Sequence, residues 1–192
     1  MKEIAGLYFP WGWEHILGPG AADHTLFLIA LCAHAKPQEW LRLAVSVTAF
    51  TLGHLSSLLV CVTTGYAPPA PWVEFLIPLS IVFMALSQLS ARDTPNHGLF
   101  RYLVVLGFGL IHGLGFAAVI RYTLAETDSV AMPLLFFHLG IESAQLLLIA
   151  FLLMVRRGVT RGLGLSERHW TRGLILLSLA GGLYFCLTRL PV

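Results

Sequence analysis

Residues 101–121 read RYLVVLGFGLIHGLGFAAVIR, with nineteen uncharged residues between two arginines. A helix rising 1.5 Å per residue needs about 20 largely apolar residues to cross the roughly 30 Å hydrocarbon core of a bilayer. This stretch therefore predicts a transmembrane helix. Working outward, five more stretches meet the same requirement: Trp11–Ala35, Trp40–Val62, Trp72–Ser90, Met132–Val155 and Thr171–Leu190. Turn-forming and polar segments connect them: AKPQE, TTGYAPPAP, ARDTPNHG, LAETDSV and RRGVTRGLGLSERH. The expected fold is an all-α polytopic membrane bundle of about six transmembrane helices, a single integral membrane domain over residues 1–192.

Composition leads to the same class. Of 192 residues, 57% are hydrophobic and 11% are charged, against roughly 25% charged in a soluble domain. Mean hydropathy is +0.78, so water is not the main solvent and disorder is excluded. A net charge of +2, with the basic residues at segment ends, leaves no footprint for nucleic acid. Cys32, Cys61 and Cys186 stand singly in apolar runs, so neither a disulfide framework nor a thiolate site is expected. The N-terminal MKEIAGLYFPWGWEHILG turns polar early and lacks a small-residue cleavage site, so no removable signal peptide is expected.

Lys and Arg set an expected orientation. Lys2, Arg121 and Arg189 collect on one side; Lys36, Arg42, Arg92, Arg101, Arg156, Arg157, Arg161, Arg168 and Arg172 collect on the other. The positive-inside rule then puts both termini on the outer face and the Arg156–Arg172 connector in the cytoplasm. Trp11, Trp13, Trp40, Trp72 and Trp170 fall at span ends, as interfacial residues do. Gly18-Pro19-Gly20 interrupts the first span. The break reads either as a re-entrant element beside a polar interior or as the end of an interfacial half-helix over Trp11–Leu17.

Ionisable residues inside apolar spans cost roughly 2.5–3.5 kcal/mol each at the bilayer centre and must be compensated. On a common depth axis, Asp23, His24, His54, His112 and Glu142 fall near the middle, with His138 and His15 a turn or two further out. The shared level points to one site. His138 and Glu142, four apart, project from one helix face and could ligate one ion. Asp23 either lines a wide cavity with His24 or orients a histidine by accepting its N–H. Imidazole with carboxylate and no thiolate suits nickel, cobalt, zinc, copper or iron, and argues against a soft copper(I) site. Blander readings fit the rest: His34 bonds between helices, Glu14 and Glu74 are solvated near the outer interface, and His97 and His169 belong to connectors. Spans three and six carry no such group at mid-depth and read as support. Gly109 and Gly113 form a G-x-x-x-G step that predicts close helix packing. Histidines in spans one, two, four and five but not three and six suggest two inverted halves, without recognisable identity between them.

At these residues the sequence resembles a known family. GWEHILGPGAADHTLFLIAL, AFTLGHLSSLLV, FGLIHGLGFA and FFHLGIESAQL resemble, in order, the signature segments of the HupE/UreJ family of hydrogenase and urease accessory membrane proteins. The resemblance covers Gly12 to Leu148 and is most specific around His112-Gly113-Leu114-Gly115-Phe116. It implies a six-span membrane protein with a role in nickel or cobalt uptake. The chain departs from the pattern in three places. Seven residues separate His15 from Asp23 where the family has five, the serine after His54 is shifted by one, and His138 replaces a common asparagine.

The leading expectation is a permease for a divalent transition metal, nickel or cobalt first, at a midplane site of His15, His24, His54, His112, His138, Asp23 and Glu142. No G-x-x-x-x-G-K-S/T loop is present, which points to facilitated or ion-coupled movement and away from ATP-driven pumping. The alternative is an intramembrane metal-dependent hydrolase or oxidase using the same ligands, with Glu142 or Asp23 as base. Haem ligation leaves the carboxylates unexplained. Expected partners are membrane lipid and the metal ion; a homo-oligomer stays open. The expected location is a bacterial inner membrane.

Overall fold

The computed structural model describes residues 1–90, 98–124 and 129–191. Among them are seven α-helices: α1 (Lys2–Leu17), α2 (Ala22–Cys32), α3 (Trp40–Thr64), α4 (Ala70–Ser90), α5 (Leu99–Leu124), α6 (Ala131–Gly162) and α7 (Glu167–Thr188). Five of them are long and apolar enough to cross a membrane. The pair α1 and α2, bent by 66° at its break, makes a sixth span if counted as one. The all-α polytopic bundle is therefore the fold. Arg92 and His97, expected in a connector, lie outside the described residues, as do positions 125–128.

The helix bounds differ from the sequence reading in three places. Helix α1 begins at Lys2, well before Trp11. Helix α6 runs 32 residues to Gly162, about 48 Å at 1.5 Å per residue. Its arginine-bearing end thus projects beyond a hydrocarbon core, and Arg156, Arg157 and Arg161 are helical. His169, expected in a connector, belongs to the first turn of α7, because the Ser166 side chain caps that helix and accepts from the His169 backbone N–H.

The break between α1 and α2 has a local cause. Gly18 is extended and its N–H bonds back to the Glu14 carbonyl at 2.8 Å; a Cβ there would lie 2.4 Å from that same oxygen. Pro19 then removes a donor, and Ala21 N–H bonds to the Gly18 carbonyl at 3.0 Å. Helix α2, with Phe27 to Cys32 all buried, is an interior helix, as a helix apolar all round must be. It packs against α1, α4, α6 and α7.

The long helices meet in pairs: α1 on α6, α3 on α5, and α4 on α7. At the first crossing, a Cβ on Gly12 would come 2.1 Å from the Phe137 carbonyl, and one on Gly140 2.2 Å from the Phe9 carbonyl. At the second, a Cβ on Gly53 would come 2.1 Å from the Leu106 carbonyl, and one on Gly109 2.1 Å from the Phe50 carbonyl. Gly113 backs onto Ser57 and His54, so the G-x-x-x-G step packs as its spacing predicts. In all four cases the glycine faces the carbonyl three residues before the partner glycine.

That shared register aligns α1 with α5 and α3 with α6, and the alignment uncovers sequence identity that inspection of the chain alone misses. Gly12-Trp13-Glu14-His15 matches Gly109-Leu110-Ile111-His112 as G-x-x-H. Residues 50–56, FTLGHLS, match 137–143, FHLGIES, as F-x-L-G-x-x-S. His15 and His112 thus occupy equivalent places at the ends of equivalent crossings.

Candidate metal centre

His15 ends the crossing helix α1, His24 opens α2, His54 follows Gly53 on α3, and His112 lies on α5 beside Gly109 and Gly113. The close backbone approach at the glycines draws these side chains inward. His24, His54 and His112 are buried and His15 nearly so. Ring centroids lie 4.6 Å apart for His15 and His24, 4.8 Å for His24 and His112, and 5.4 Å for His15 and His54. Phenylalanines wall the cluster: Phe137 lies 5.5 Å from His15 and Phe50 5.0 Å from His112, while Phe116 packs on His15 at 4.4 Å. Phe137 and Phe50 are themselves equivalent in the repeat.

The hydrogen bonds assign the ring tautomers, and two relays end in free lone pairs. His138 on α6 donates from Nδ1 to the Leu134 carbonyl at 2.7 Å, so its Nε2 carries a lone pair. That nitrogen accepts from His54 Nδ1 at 3.2 Å, which leaves His54 Nε2 unprotonated, buried and without a partner. On the other side Ser80 of α4 spends its hydrogen on the Ile77 carbonyl at 2.6 Å. Its oxygen accepts from His112 Nε2 at 3.1 Å, leaving His112 Nδ1 buried and unpartnered. His15 Nε2 and His24 Nε2 are unpartnered as well.

Buried polar atoms without partners are expensive, about 1–3 kcal/mol each, and four ring nitrogens, those of His15, His24, His54 and His112, stand in that state. The ligand atoms of His15, His24 and His54 lie within 4.8 Å of one another. Nitrogens bound at 2.0–2.1 Å to a tetrahedral ion sit about 3.3 Å apart, so small ring rotations close the set. Three or four imidazoles without thiolate suit a late first-row divalent ion; the free cysteines Cys32, Cys61 and Cys186 are buried.

The other expected site residues stand around this set. His138 has both ring nitrogens engaged, so here it orients His54 where direct ligation was expected. Asp23 bonds Arg189 of α7's C-terminal end through Oδ2 at 2.9 Å, with Oδ1 buried and unpartnered. Its observed partner is thus an arginine and not a histidine N–H. Glu142 accepts from Thr48 at 2.5 Å and from Thr51. Ser80 was missed because span three reads as inert support; a lone serine in an apolar helix gives no signal until the facing histidine is known. His34, expected to bond between helices, lies in the turn after α2 and bonds the Gln88 carbonyl of α4 at 2.9 Å.

A family model described as HupE / UreJ protein matches residues 1–188. No curated protein and no solved structure matches the chain. The family model spans all seven described helices and every histidine of the cluster, and the chain belongs to the HupE/UreJ family.

Proposed function

We propose that this integral membrane protein is a permease for a divalent transition metal, with nickel or cobalt as cargo, and that His15, His24, His54 and His112 form its binding station. The observation that carries this reading is the set of four buried imidazole nitrogens, each without a hydrogen-bond partner, converging from four helices. A permease must replace the hydration shell of its cargo and still release it. Neutral imidazoles do both better than thiolates, and the phenylalanine walls keep the station dry. His138 and Ser80 hold two of the rings in the ligating tautomer. Asp23, held by Arg189, and Glu142, held by Thr48 and Thr51, are the carboxylates flanking the path.

The family points toward the same cargo, since the resemblance drawn from the sequence implies nickel or cobalt uptake. The distribution of Lys and Arg supports an orientation with both termini on the outer face. One observation favours a second reading: the two orienting relays resemble the hydrogen-bonded support of resident catalytic metals, which would suit an intramembrane metalloenzyme.

Elemental analysis of the purified protein and of His112→Ala after brief chelator treatment separates the two. Weakly held metal, together with cellular accumulation that His112→Ala abolishes, is the expected result. Normal accumulation by a stably inserted His112→Ala would sink the permease assignment. Near-stoichiometric metal surviving the chelator would transfer support to the enzyme.

A further inference from the structure

Six aromatic side chains border the histidine cluster, and they fall into two layers. Trp11, Phe116 and Phe137, from α1, α5 and α6, form a closed triangle with ring centroids 5.2, 5.3 and 5.1 Å apart. Phe116 and Phe137 are stacked within 5° of parallel, and His15 rests on them at 4.4 and 5.5 Å. Phe27, Phe50 and Phe108, from α2, α3 and α5, form the other layer, with Phe27 5.1 Å from Phe50 and 5.7 Å from Phe108. His112 lies 5.0 Å from Phe50 and 5.6 Å from Phe27.

The layers stand on opposite sides of the imidazoles. Helix α5 supplies one ring to each, Phe108 before His112 and Phe116 after it, about 12 Å apart along the helix axis at 1.5 Å per residue. The repeat relates the layers to one another. The offset that matches Gly12 to Gly109 matches Trp11 to Phe108, and the offset that matches Gly53 to Gly140 matches Phe50 to Phe137. The third ring follows the histidine in each half, Phe116 on unbroken α5 and Phe27 across the Gly18-Pro19-Gly20 break. Phe27, Phe50 and Phe137 are at most 1% exposed. Packed rings offer no atom to replace a water ligand, so they stop a hydrated divalent ion by dewetting. We propose that the two layers are the gates of the metal station, opening in turn so that the imidazoles meet one side of the membrane at a time. The proposal rests on the permease reading and adds the route: in the expected orientation, cargo enters past Trp11, Phe116 and Phe137 and leaves past Phe27, Phe50 and Phe108.

The test mixes purified, chelator-treated full-length protein rapidly with nickel and follows association, then dissociation into excess chelator. Binding that waits on a conformational opening is slow, so Phe116→Ala and Phe27→Ala are each expected to speed both steps by about tenfold or more while the dissociation constant stays within about threefold. Phe116→Leu and Phe27→Leu, which stay apolar without a ring, are expected to move the same way by less, and they serve where an alanine variant does not fold. Ile175→Ala, buried on α7, which supplies no ring to either layer, is expected to leave both rates unchanged; equal acceleration there would mean general loosening and would overturn the gates. In proteoliposomes nickel entry is expected to stay saturable in each single variant and to lose saturation in Phe116→Ala with Phe27→Ala. A single variant that leaks, or a stably inserted double variant that still saturates, would overturn two gates in series. A wild type that binds nickel without moving it would sink the permease reading and the gates together, whereas a transporting wild type whose ring variants keep its binding rates would sink the gates alone.

Discussion

Two imidazoles owe their ring tautomers to atoms on other helices. His54 presents Nε2 because His138 takes its Nδ1 hydrogen, and His138 can accept because the Leu134 carbonyl fixes its own tautomer. Removing the ligand and removing its support should therefore differ in degree. His54→Ala is expected to abolish metal binding by the purified protein. His138→Ala and Ser80→Ala are each expected to weaken it about 10–100-fold, the usual effect of losing a group that orients a metal ligand. Isothermal titration with nickel and cobalt checks both; unchanged affinity in His138→Ala would contradict the relay. Sequence reading, which placed His24, His54 and His112 near mid-depth and His15 a turn or two further out, singled out the four rings that the structure gathers, because an imidazole in an apolar run is conspicuous. It did not separate rings with an unpartnered nitrogen from His138, whose two nitrogens are both engaged, since ring tautomers depend on partners far away in the chain.

The elements are held together by two devices, glycine crossings and side chains that cap α2. At the C-terminal end of α2 the carbonyls of Leu31, Ala33 and Ala35 accept from Arg101 of α5, Thr171 of α7 and Arg156 of α6. Helix ends leave such carbonyls without intrahelical partners, and cations suit them. Arg156 also pairs with Glu167, but its side chain is 5% exposed whereas that of Glu167 is 61% exposed. Losing the arginine strands a buried carbonyl, while losing the glutamate removes a largely hydrated charge. Arg156→Ala is thus expected to cost about 1–3 kcal/mol and Glu167→Gln less than about 1 kcal/mol, measured by thermal or denaturant unfolding in detergent.

For the crossings, Gly109→Val forces a side chain into the Phe50 backbone and should destabilise by about 3 kcal/mol or more. Gly107→Ala, where nothing lies within 4 Å, should be neutral or stabilising. Equal stability of the two variants would show that the crossing is not tight. The G-x-x-x-G step was legible as a packing signal, but its partner was not, because small residues announce close approach without saying to what. The cap on α2 was illegible for a related reason: Arg101, Arg156 and Thr171 look like ordinary ends of apolar runs until the carbonyls they face are known.

At the scale of the molecule, α1 with α6 and α3 with α5 form two crossings of one design. Successive spans alternate in direction, so the equivalent helices α1 and α5, and likewise α3 and α6, run oppositely. This is the arrangement of inverted-repeat carriers with a midplane site. Equivalent positions should then be equally sensitive: Gly12→Val and Gly109→Val are expected to impair folding and metal accumulation alike, and strongly unequal effects would argue against equivalent roles. Reporter fusions test the expected orientation, with activity on the outer face at both termini and cytoplasmic activity at an insertion near residue 164. The opposite pattern would reverse the assignment drawn from Lys and Arg.

The sequence by itself determined that this chain crosses a membrane several times and where its first span breaks. Those properties follow from local composition, from the backbone chemistry of Gly18 and Pro19, and from the fixed rise of a helix. Only the tertiary structure decided that His54 bonds to His138, that Asp23 answers to Arg189, that Glu142 sits among hydroxyls, and that two halves share a register. Each of these is set by which helix faces which, and that is a matter of packing between glycine-lined surfaces distant in the chain, to which hydropathy and residue spacing along a single span are blind.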